Sequence, residues 1–196
     1  MKLKNAIMIG LLGRQLDRFT VYSEPRSLKE GLEGVGGIEV GYPGEFAGLE
    51  RGTAMVKGSG FAVSAINQNT KRDPKWRIGS FTSPDADTRA MAVREMRICM
   101  DLSVELGCNL VHCCPLIDGH NYNFQVDYQR QWDWLVEGLS QAASCRRDVR
   151  ISLEFKPFEA RNFNIVSNTG MTLYLSSLVG ENVGLTFDLG HSLMAK

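Results

Sequence analysis

The sequence lacks a long hydrophobic run, an excess of charge of either sign, and any paired cysteine motif. No apolar stretch approaches the roughly 18 residues that a membrane-spanning helix needs, so we expect no membrane partner. The 22 basic and 22 acidic residues give a formal net charge of zero. This balance argues against nucleic acid, because nucleic-acid binders carry a basic face. Five cysteines without a CxxC pair indicate reduced core residues of a cytoplasmic protein.

The chain has the size and pattern of an α/β domain. Its 196 residues, 43% of them hydrophobic, suit a single domain spanning residues 1–196. Short apolar runs alternate with helical patterns, which is typical of a parallel sheet with crossover helices. Six strands are predicted, at residues 6–12, 37–42, 61–67, 109–115, 149–156 and 183–188.

Three helices are clear from their caps and their apolar spacing. The first begins at Ser83, the expected N-cap, with Pro84 in the first helical position, and it stops at Gly107. The second covers residues 128–143, with Asp127 as its cap, and the third covers residues 169–179. These helices fall between the predicted strands, as a β/α fold requires.

The spacing of the units is compatible with either a doubly wound sheet or a (β/α)₈ TIM barrel. No glycine-rich phosphate loop follows any strand, because the glycines at residues 34–37 precede the second strand. A dinucleotide-binding fold therefore loses its best support. A complete barrel normally takes about 250 residues. We expect a TIM barrel with only about six βα units in this chain.

Two carboxylates end neighbouring strands of the predicted barrel. Alternation places Glu154 on the inner face of strand five and Asp188 on the inner face of strand six, at the same level. Bare carboxylates need a cation between them in a low-dielectric mouth, and oxygen ligands favour Mg²⁺ or Mn²⁺. The alternative is that Glu154 pairs with Lys156 and that Asp188 caps the following segment.

Both strand ends resemble segments of known sugar isomerases. Glu154-Phe155-Lys156-Pro157, followed by Glu159-Ala160-Arg161, resembles strand five of xylose isomerase and L-rhamnose isomerase. Asp188-Leu189-Gly190-His191 resembles strand six of L-rhamnose isomerase. Residues 64–80 and 118–122 are similar to its strand three and to the loop after strand four. The chain is identified as a member of the xylose isomerase-like TIM-barrel superfamily, nearest to L-rhamnose isomerase.

The resemblance implies a metal-dependent aldose–ketose isomerase that acts on a small sugar by a hydride shift. Glu154 and Asp188 would be metal ligands, and Lys156 would bind the carbonyl oxygen of the substrate. His191 would contact metal-bound substrate or a second metal, and Asn67 and Asn121 would contact the sugar. Mn²⁺ is the expected cofactor, with Mg²⁺, Co²⁺ and Zn²⁺ as alternatives. A homodimer or homotetramer is expected.

The sequence departs from the rhamnose-isomerase pattern at the ring-opening position. Ser83 stands near the place of a histidine that takes part in ring opening. His120 is a substitute for that histidine or simply a solvated loop residue. His112, within an apolar strand, is interpreted as a core histidine, and Glu39 is a weaker candidate to line the barrel. The three tryptophans are expected to pack rather than to stack on a sugar.

The relatives complete their metal site with residues from strands seven and eight, which this sequence does not contain. We therefore expect it to be the first three-quarters of a longer isomerase. Two alternatives stay open: a sugar epimerase or inosose-type dehydratase of the same superfamily, and a non-catalytic truncated barrel. A superfamily endonuclease is disfavoured, since it would need more histidine ligands and a basic groove.

Overall fold

Six parallel strands in sequential order form the central sheet. The computed structural model describes residues 4–13, 15–16, 19–26, 34–46, 48–159 and 162–196, leaving out the side chains of residues 15 and 16. Each strand pairs with the next one along the chain, which is the arrangement of a β/α barrel. The predicted fold class is therefore confirmed. The strands are β1 Ala6–Met8, β2 Gly37–Tyr42, β3 Ala62–Gln68, β4 Leu110–Cys113, β5 Arg150–Glu154 and β6 Val183–Thr186.

Four of the six strands are shorter than the sequence predicts: β4 covers Leu110–Cys113 rather than 109–115, β5 covers Arg150–Glu154 rather than 149–156, and the first and last strands are shorter too. The first gives way to a 3₁₀ helix at Ile9–Leu12, and the last ends at Thr186 rather than Asp188. Asp188 leaves the strand because its carboxylate caps a short helix, and a capping residue is the last one before helical geometry begins. The prediction for residues 37–42 matches β2 at both ends.

Five α-helices lie in the described part of the chain, and three of them match the predicted helices. The N-cap of α2 is Asp85 rather than Ser83, because the Asp85 carboxylate accepts from Thr88 N–H at 3.1 Å. Asp127 caps α3 as predicted, and Gly107 follows α2 with a φ of 74°. No helix in the described ranges is long and apolar enough to cross a membrane. The helices are α1 Leu49–Gly58, α2 Ala86–Glu105, α3 Tyr128–Ala143, α4 Thr169–Val179 and α5 Leu189–Met194.

The hydrophobic core lies between the sheet and the helices. In β5 and just after it, Ile151, Leu153 and Phe155 are at most 1% exposed, whereas the intervening residues face the other side of the sheet. The same alternation holds in β2 and β4, and it separates a helix-facing apolar set from an inward polar set. Other fully buried members of the core are Ile38, Val40, Ile66, Met96, Cys99, Met100, Val111, Cys113, Leu135 and Ala142.

The loops after β4 and β5 join in a small antiparallel sheet that the sequence did not predict. Its strands are Gly119–His120, Asn162–Asn164 and Phe158–Glu159, in that spatial order. Only glycine fits at position 119, since a Cβ there would lie 1.9 Å from the carbonyl oxygen of Phe163. This sheet stands beside the carboxyl ends of the barrel strands.

Asp118 ties the loop after β4 to the loop after β3. It is fully buried, and its Oδ1 accepts from the backbone N–H of Ser80 and Thr82, both at 2.8 Å, and from the Thr82 hydroxyl at 2.7 Å. The Ser80 hydroxyl donates to Oδ2. Burial raises the pKa of Asp118, and these four hydrogen bonds act in the opposite direction. The two loops are thereby held in one arrangement.

We expect Asp118→Ala to lower the free energy of unfolding by about 3–5 kcal/mol, because it leaves four buried donors without an acceptor. Asp118→Asn should cost much less, about 1 kcal/mol, since its Oδ1 keeps three acceptor contacts and its amide can donate to Ser80 Oγ. Urea unfolding measures both values. An equal loss in the two variants would contradict this assignment of the hydrogen bonds.

Candidate active site

Three side chains with metal-ligating atoms converge at the carboxyl ends of β5 and β6. Glu154 is the last residue of β5, Asp188 precedes α5, and His191 lies in the first turn of that helix. Their ligand atoms all lie within 4.8 Å of one another. The Glu154 carboxylate is the most buried of the three, with 12% of its side chain exposed. The structure therefore brings together three of the predicted site residues.

The two carboxylates are predicted to share one level, and they are not in strand register. Glu154 pairs with Thr186, so Asp188 lies two residues further along. Barrel strands tilt, and a shear of eight over eight strands shifts the register by about one residue per strand. This stagger reduces the difference in height between the two residues, and Asp188 still reaches Glu154.

Asp188 serves both as a cap and as a member of the cluster. Its Oδ1 accepts from the backbone N–H of His191 at 2.6 Å, while its Oδ2 lies 3.7 Å from His191 Nδ1. The capping alternative is therefore correct, but it does not exclude a role in the site. The cap fixes the direction of the carboxylate and leaves the second oxygen beside the histidine ring.

Each oxygen of Glu154 faces a histidine nitrogen. His191 Nδ1 lies 2.8 Å from Oε1, and His112 Nε2 lies 2.5 Å from Oε2. Both ring nitrogens are buried, and neither contact has the alignment of a hydrogen bond.

The donor set fits a divalent cation. Two carboxylates and one imidazole are ligands that Mn²⁺, Mg²⁺, Co²⁺ and Zn²⁺ accept, and His191 Nδ1 has no aligned hydrogen bond of its own. Three protein donors also leave coordination positions open, as a catalytic site needs. Glu154, Asp188 and His191 are therefore the residues that could hold the ion.

A hydrogen-bonded group of inward side chains continues from Glu154 across the barrel. Glu39 Oε1 accepts from Asn67 Nδ2 at 2.9 Å and lies 3.0 Å from His112 Nδ1. Burial opposes the charge on His112, but the two neighbouring carboxylates, Glu154 and Glu39, outweigh burial and raise the pKa of His112 to about 9. Burial also raises the pKa of Glu39, yet His112 and Asn67 lower it overall.

Two members of this group, His112 and Glu39, are not predicted as site residues from the sequence. His112 is buried as predicted, but its partners are carboxylates on the inner face rather than core side chains. Glu39 was only a weak candidate. The signal was the two-residue alternation: Val111 and Cys113 are fully buried on the helix side, so His112 must face inward, and Glu39 stands likewise between Ile38 and Val40.

Lys156 is paired with the loop that follows it. Its Nζ lies 2.7 Å from Glu159 Oε1, and Lys71 Nζ lies 2.9 Å from Glu159 Oε2. The alternative of a Glu154–Lys156 ion pair is therefore wrong. Lys156 stands two residues beyond Glu154 on the inner face, as predicted, with 21% of its side chain exposed. Arg161 of the same motif lies outside the described residues.

Asn67 and Asn121 lie in different places. Asn67 lines a cavity of about 410 Å³ at the ends of the first three strands and bonds to Glu39. Asn121 lines another cavity, of about 380 Å³, together with His120. His120 is half-buried in the small antiparallel sheet, where its ring stacks on Phe163 with a centroid distance of 5.5 Å.

Trp76 packs as predicted, whereas Trp134 also lines the cavity that contains Asn121. Trp76 is fully buried, Trp132 stacks on Tyr174, and Trp134 contacts the guanidinium groups of Arg89 and Arg130.

Fold and site together define a β/α barrel with a carboxylate–histidine cluster at the carboxyl ends of its strands. Comparison with known proteins gives the family: residues 31–196 match the xylose isomerase-like TIM barrel. The chain therefore belongs to the xylose isomerase-like TIM-barrel family. Over 143 residues it is 32% identical to the xylose isomerase of Thermus thermophilus, which covers 70% of this chain and 37% of that enzyme.

Solved structures show the same fold at lower identity. An L-ribulose 3-epimerase superposes with a TM-score of 0.70 and 18% identity, covering 98% of this chain and 63% of its own. The IolI protein with a bound zinc atom gives a TM-score of 0.66 and 18% identity, covering 97% and 64%. The chain thus spans little more than a third of the curated relatives it matches. The closer likeness to L-rhamnose isomerase stays a prediction.

The bridge between Lys71, Glu159 and Lys156 should make stability depend on pH. Burial raises the pKa of Glu159, but the two lysines outweigh it and lower the pKa below the ordinary value of 4.5. A lowered pKa stabilises the fold above pH 4.5, and this contribution is lost as the pH falls through the folded value. We expect Glu159→Gln to be less stable than the wild type by about 1 kcal/mol at pH 7, and the difference should shrink as the pH falls below the ordinary value of 4.5. Urea unfolding across this range checks it, and a constant difference would contradict it.

Proposed function

We propose that this chain carries the core of a metal-dependent aldose–ketose isomerase that acts on a small sugar. The observation that carries the proposal is the convergence of Glu154, Asp188 and His191 within 4.8 Å at two neighbouring strand ends. Lys156, two residues beyond the central carboxylate, adds a cation on the same face. The family membership and the identity with a xylose isomerase support the same reaction class.

The site residues would have two roles, which are binding a metal ion and stabilising negative charge on the substrate. Glu154, Asp188 and His191 would hold a divalent cation, Mn²⁺ being the expected one. When bound, that ion supplies Lewis-acid polarisation of a sugar carbonyl and a template for two adjacent oxygens. Lys156 would place a fixed positive charge where the carbonyl oxygen becomes negative while hydrogen moves between the first two carbons. Glu159 would release Lys156 for this contact or share it.

We infer that part of the substrate occupies a cavity of about 410 Å³ at the ends of β1, β2 and β3, which Glu154, Asp188 and His191 do not line. Its lining includes Glu45, Arg72 and Asn67. Such polar groups suit the hydroxyls of a sugar. Asn67 would contact the substrate from this side. A contact with Asn121 would require a substrate that reaches the other cavity.

Mn²⁺ should stabilise the chain, since an ion that binds only the folded state raises its melting temperature. At 100 times the dissociation constant the gain is about 2.7 kcal/mol, which corresponds to about 5–10 °C for a chain of this size. Glu154→Gln should abolish the gain. The measurement is a thermal melt with Mn²⁺ and with EDTA.

The matched control for this melt is Glu137→Gln, the same change at an exposed position of α3. It should keep the full Mn²⁺ effect. If Glu154→Gln kept it too, Glu154 would not be a ligand and the site as drawn would be wrong.

Lys156→Met should lower kcat for aldose–ketose interconversion by about 10²–10³-fold, because it removes charge stabilisation of the transition state. Its Mn²⁺-dependent rise in melting temperature should stay at the wild-type level, since Lys156 is not a ligand. Lys57→Met, which removes an exposed lysine paired with Glu105 on the outer surface, is the control. Turnover that survives in Lys156→Met would overturn the role of Lys156.

Product analysis separates isomerisation from the epimerase alternative. An isomerase converts an aldose to the corresponding ketose, whereas a 3-epimerase converts one ketose to another and forms no aldose. The 3-epimerases among the solved structures share the fold at 16–18% identity, which is no evidence for their reaction here. Chromatography of ketoses incubated with the protein and Mn²⁺ decides between them. Formation of a second ketose alone would replace the isomerase proposal.

A further inference from the structure

The inward side chains of three other strands lead to the second oxygen of Glu154. Glu39 on β2, Asn67 on β3 and His112 on β4 lie in contact, and His112 Nε2 reaches Glu154 Oε2. All are largely buried: 21% of the Glu39 side chain and 11% of the His112 side chain are exposed. Nothing in the isomerase chemistry above uses Glu39 or His112. Two ionisable groups buried without a task would be costly, because each loses its hydration.

The contacts fix the orientation of the His112 ring. An ionised carboxylate only accepts hydrogen bonds, so His112 Nδ1 carries a proton and donates it to Glu39 Oε1 at 3.0 Å. Asn67 Nδ2 donates to the same oxygen at 2.9 Å, and its approach to Nδ1 at 3.2 Å is therefore a packing contact. Glu39 is held by Asn67 and in turn holds the ring. The opposite nitrogen, Nε2, is thus aimed at Glu154.

We propose that Glu39 and His112 are positioning residues for Glu154. His112 engages Oε2, so that Oε1, which lies 2.8 Å from His191 Nδ1, is the oxygen presented to a divalent cation. Without His112 the carboxylate is free to rotate and to present either oxygen or both. The inference rests on the proposed metal site and adds that Glu154 is a one-oxygen ligand held from the far side of the barrel.

The first experiment measures Mn²⁺ affinity by calorimetry on the full chain. Loss of an outer hydrogen-bond partner typically weakens metal binding 10–100-fold. We expect a loss of that size for Glu39→Ala, and recovery to within about threefold in Glu39→Gln, whose amide oxygen still accepts from His112 and Asn67. Ser152→Ala is the control, because Ser152 faces inward on β5 but bonds to Thr186 and not to Glu154. It should bind like the wild type.

The second experiment does not depend on metal. In the presence of EDTA, ¹⁵N-labelled histidine spectra should show a slowly exchanging, downfield Nδ1–H proton of His112 in the wild type and in Glu39→Gln. The signal should be lost in Glu39→Ala, while the His120 signals stay in place. A purely structural role for Glu39 would lower the melting temperature of both Glu39 variants without the rescue of affinity by glutamine.

The outcomes of these experiments distinguish the proposed metal site from the positioning role of Glu39 and His112. If the wild type binds no Mn²⁺, the proposed function fails and the positioning role fails with it. If the wild type binds Mn²⁺ and folded Glu39→Ala binds it equally well, only the positioning role is overturned. A wild-type spectrum without a protected His112 Nδ1 proton also overturns it, whatever the affinities are.

Discussion

The arrangement of the site depends on one carboxylate that is held inside a confined space. Glu154 is largely buried, and it has a second carboxylate, Asp188, as a neighbour. Such a group is stable only with positive charge or donors around it. Two histidine rings approach its two oxygens from opposite directions, and they come from different elements, β4 and α5. The geometry of at least three strands is therefore linked to this one side chain.

The stagger of the barrel explains which residues can meet. Glu39 pairs in register with Ala65, two residues before Asn67, and Asn67 pairs with His112. His112 in turn pairs with Ser152, two residues before Glu154. The group therefore advances along the strands as it crosses the sheet, as tilted barrel strands require. Because the strands tilt, residues at the same height along the barrel axis are not the residues that pair across neighbouring strands. A site predicted from strand ends alone does not take this difference into account.

Much of the fold follows from local sequence signals, whereas the site follows only in part. Alternation located Glu154 and Lys156, and the cap of α3 at Asp127 was readable because an acidic residue precedes an apolar helical pattern. The Lys71–Glu159 ion pair was not readable in the same way, because the two residues lie 88 positions apart in the sequence and meet through loops. The small sheet formed by Gly119–His120, Phe158–Glu159 and Asn162–Asn164 could not be predicted from the sequence for the same reason. Contacts between distant loops carry no periodic pattern.

The alternation of inward and helix-facing side chains limits how such a barrel can evolve. Inserting one residue before Ser152 would turn Leu153 and Phe155 towards the centre and place Ser152, Glu154 and Lys156 against the helices. Every strand that contributes to the site has this sensitivity. Changes of length are thus confined to the connecting loops. New specificities arise from substitutions at the inward-facing positions of a strand, which are every second residue. The positions between them pack against the helices and stay apolar.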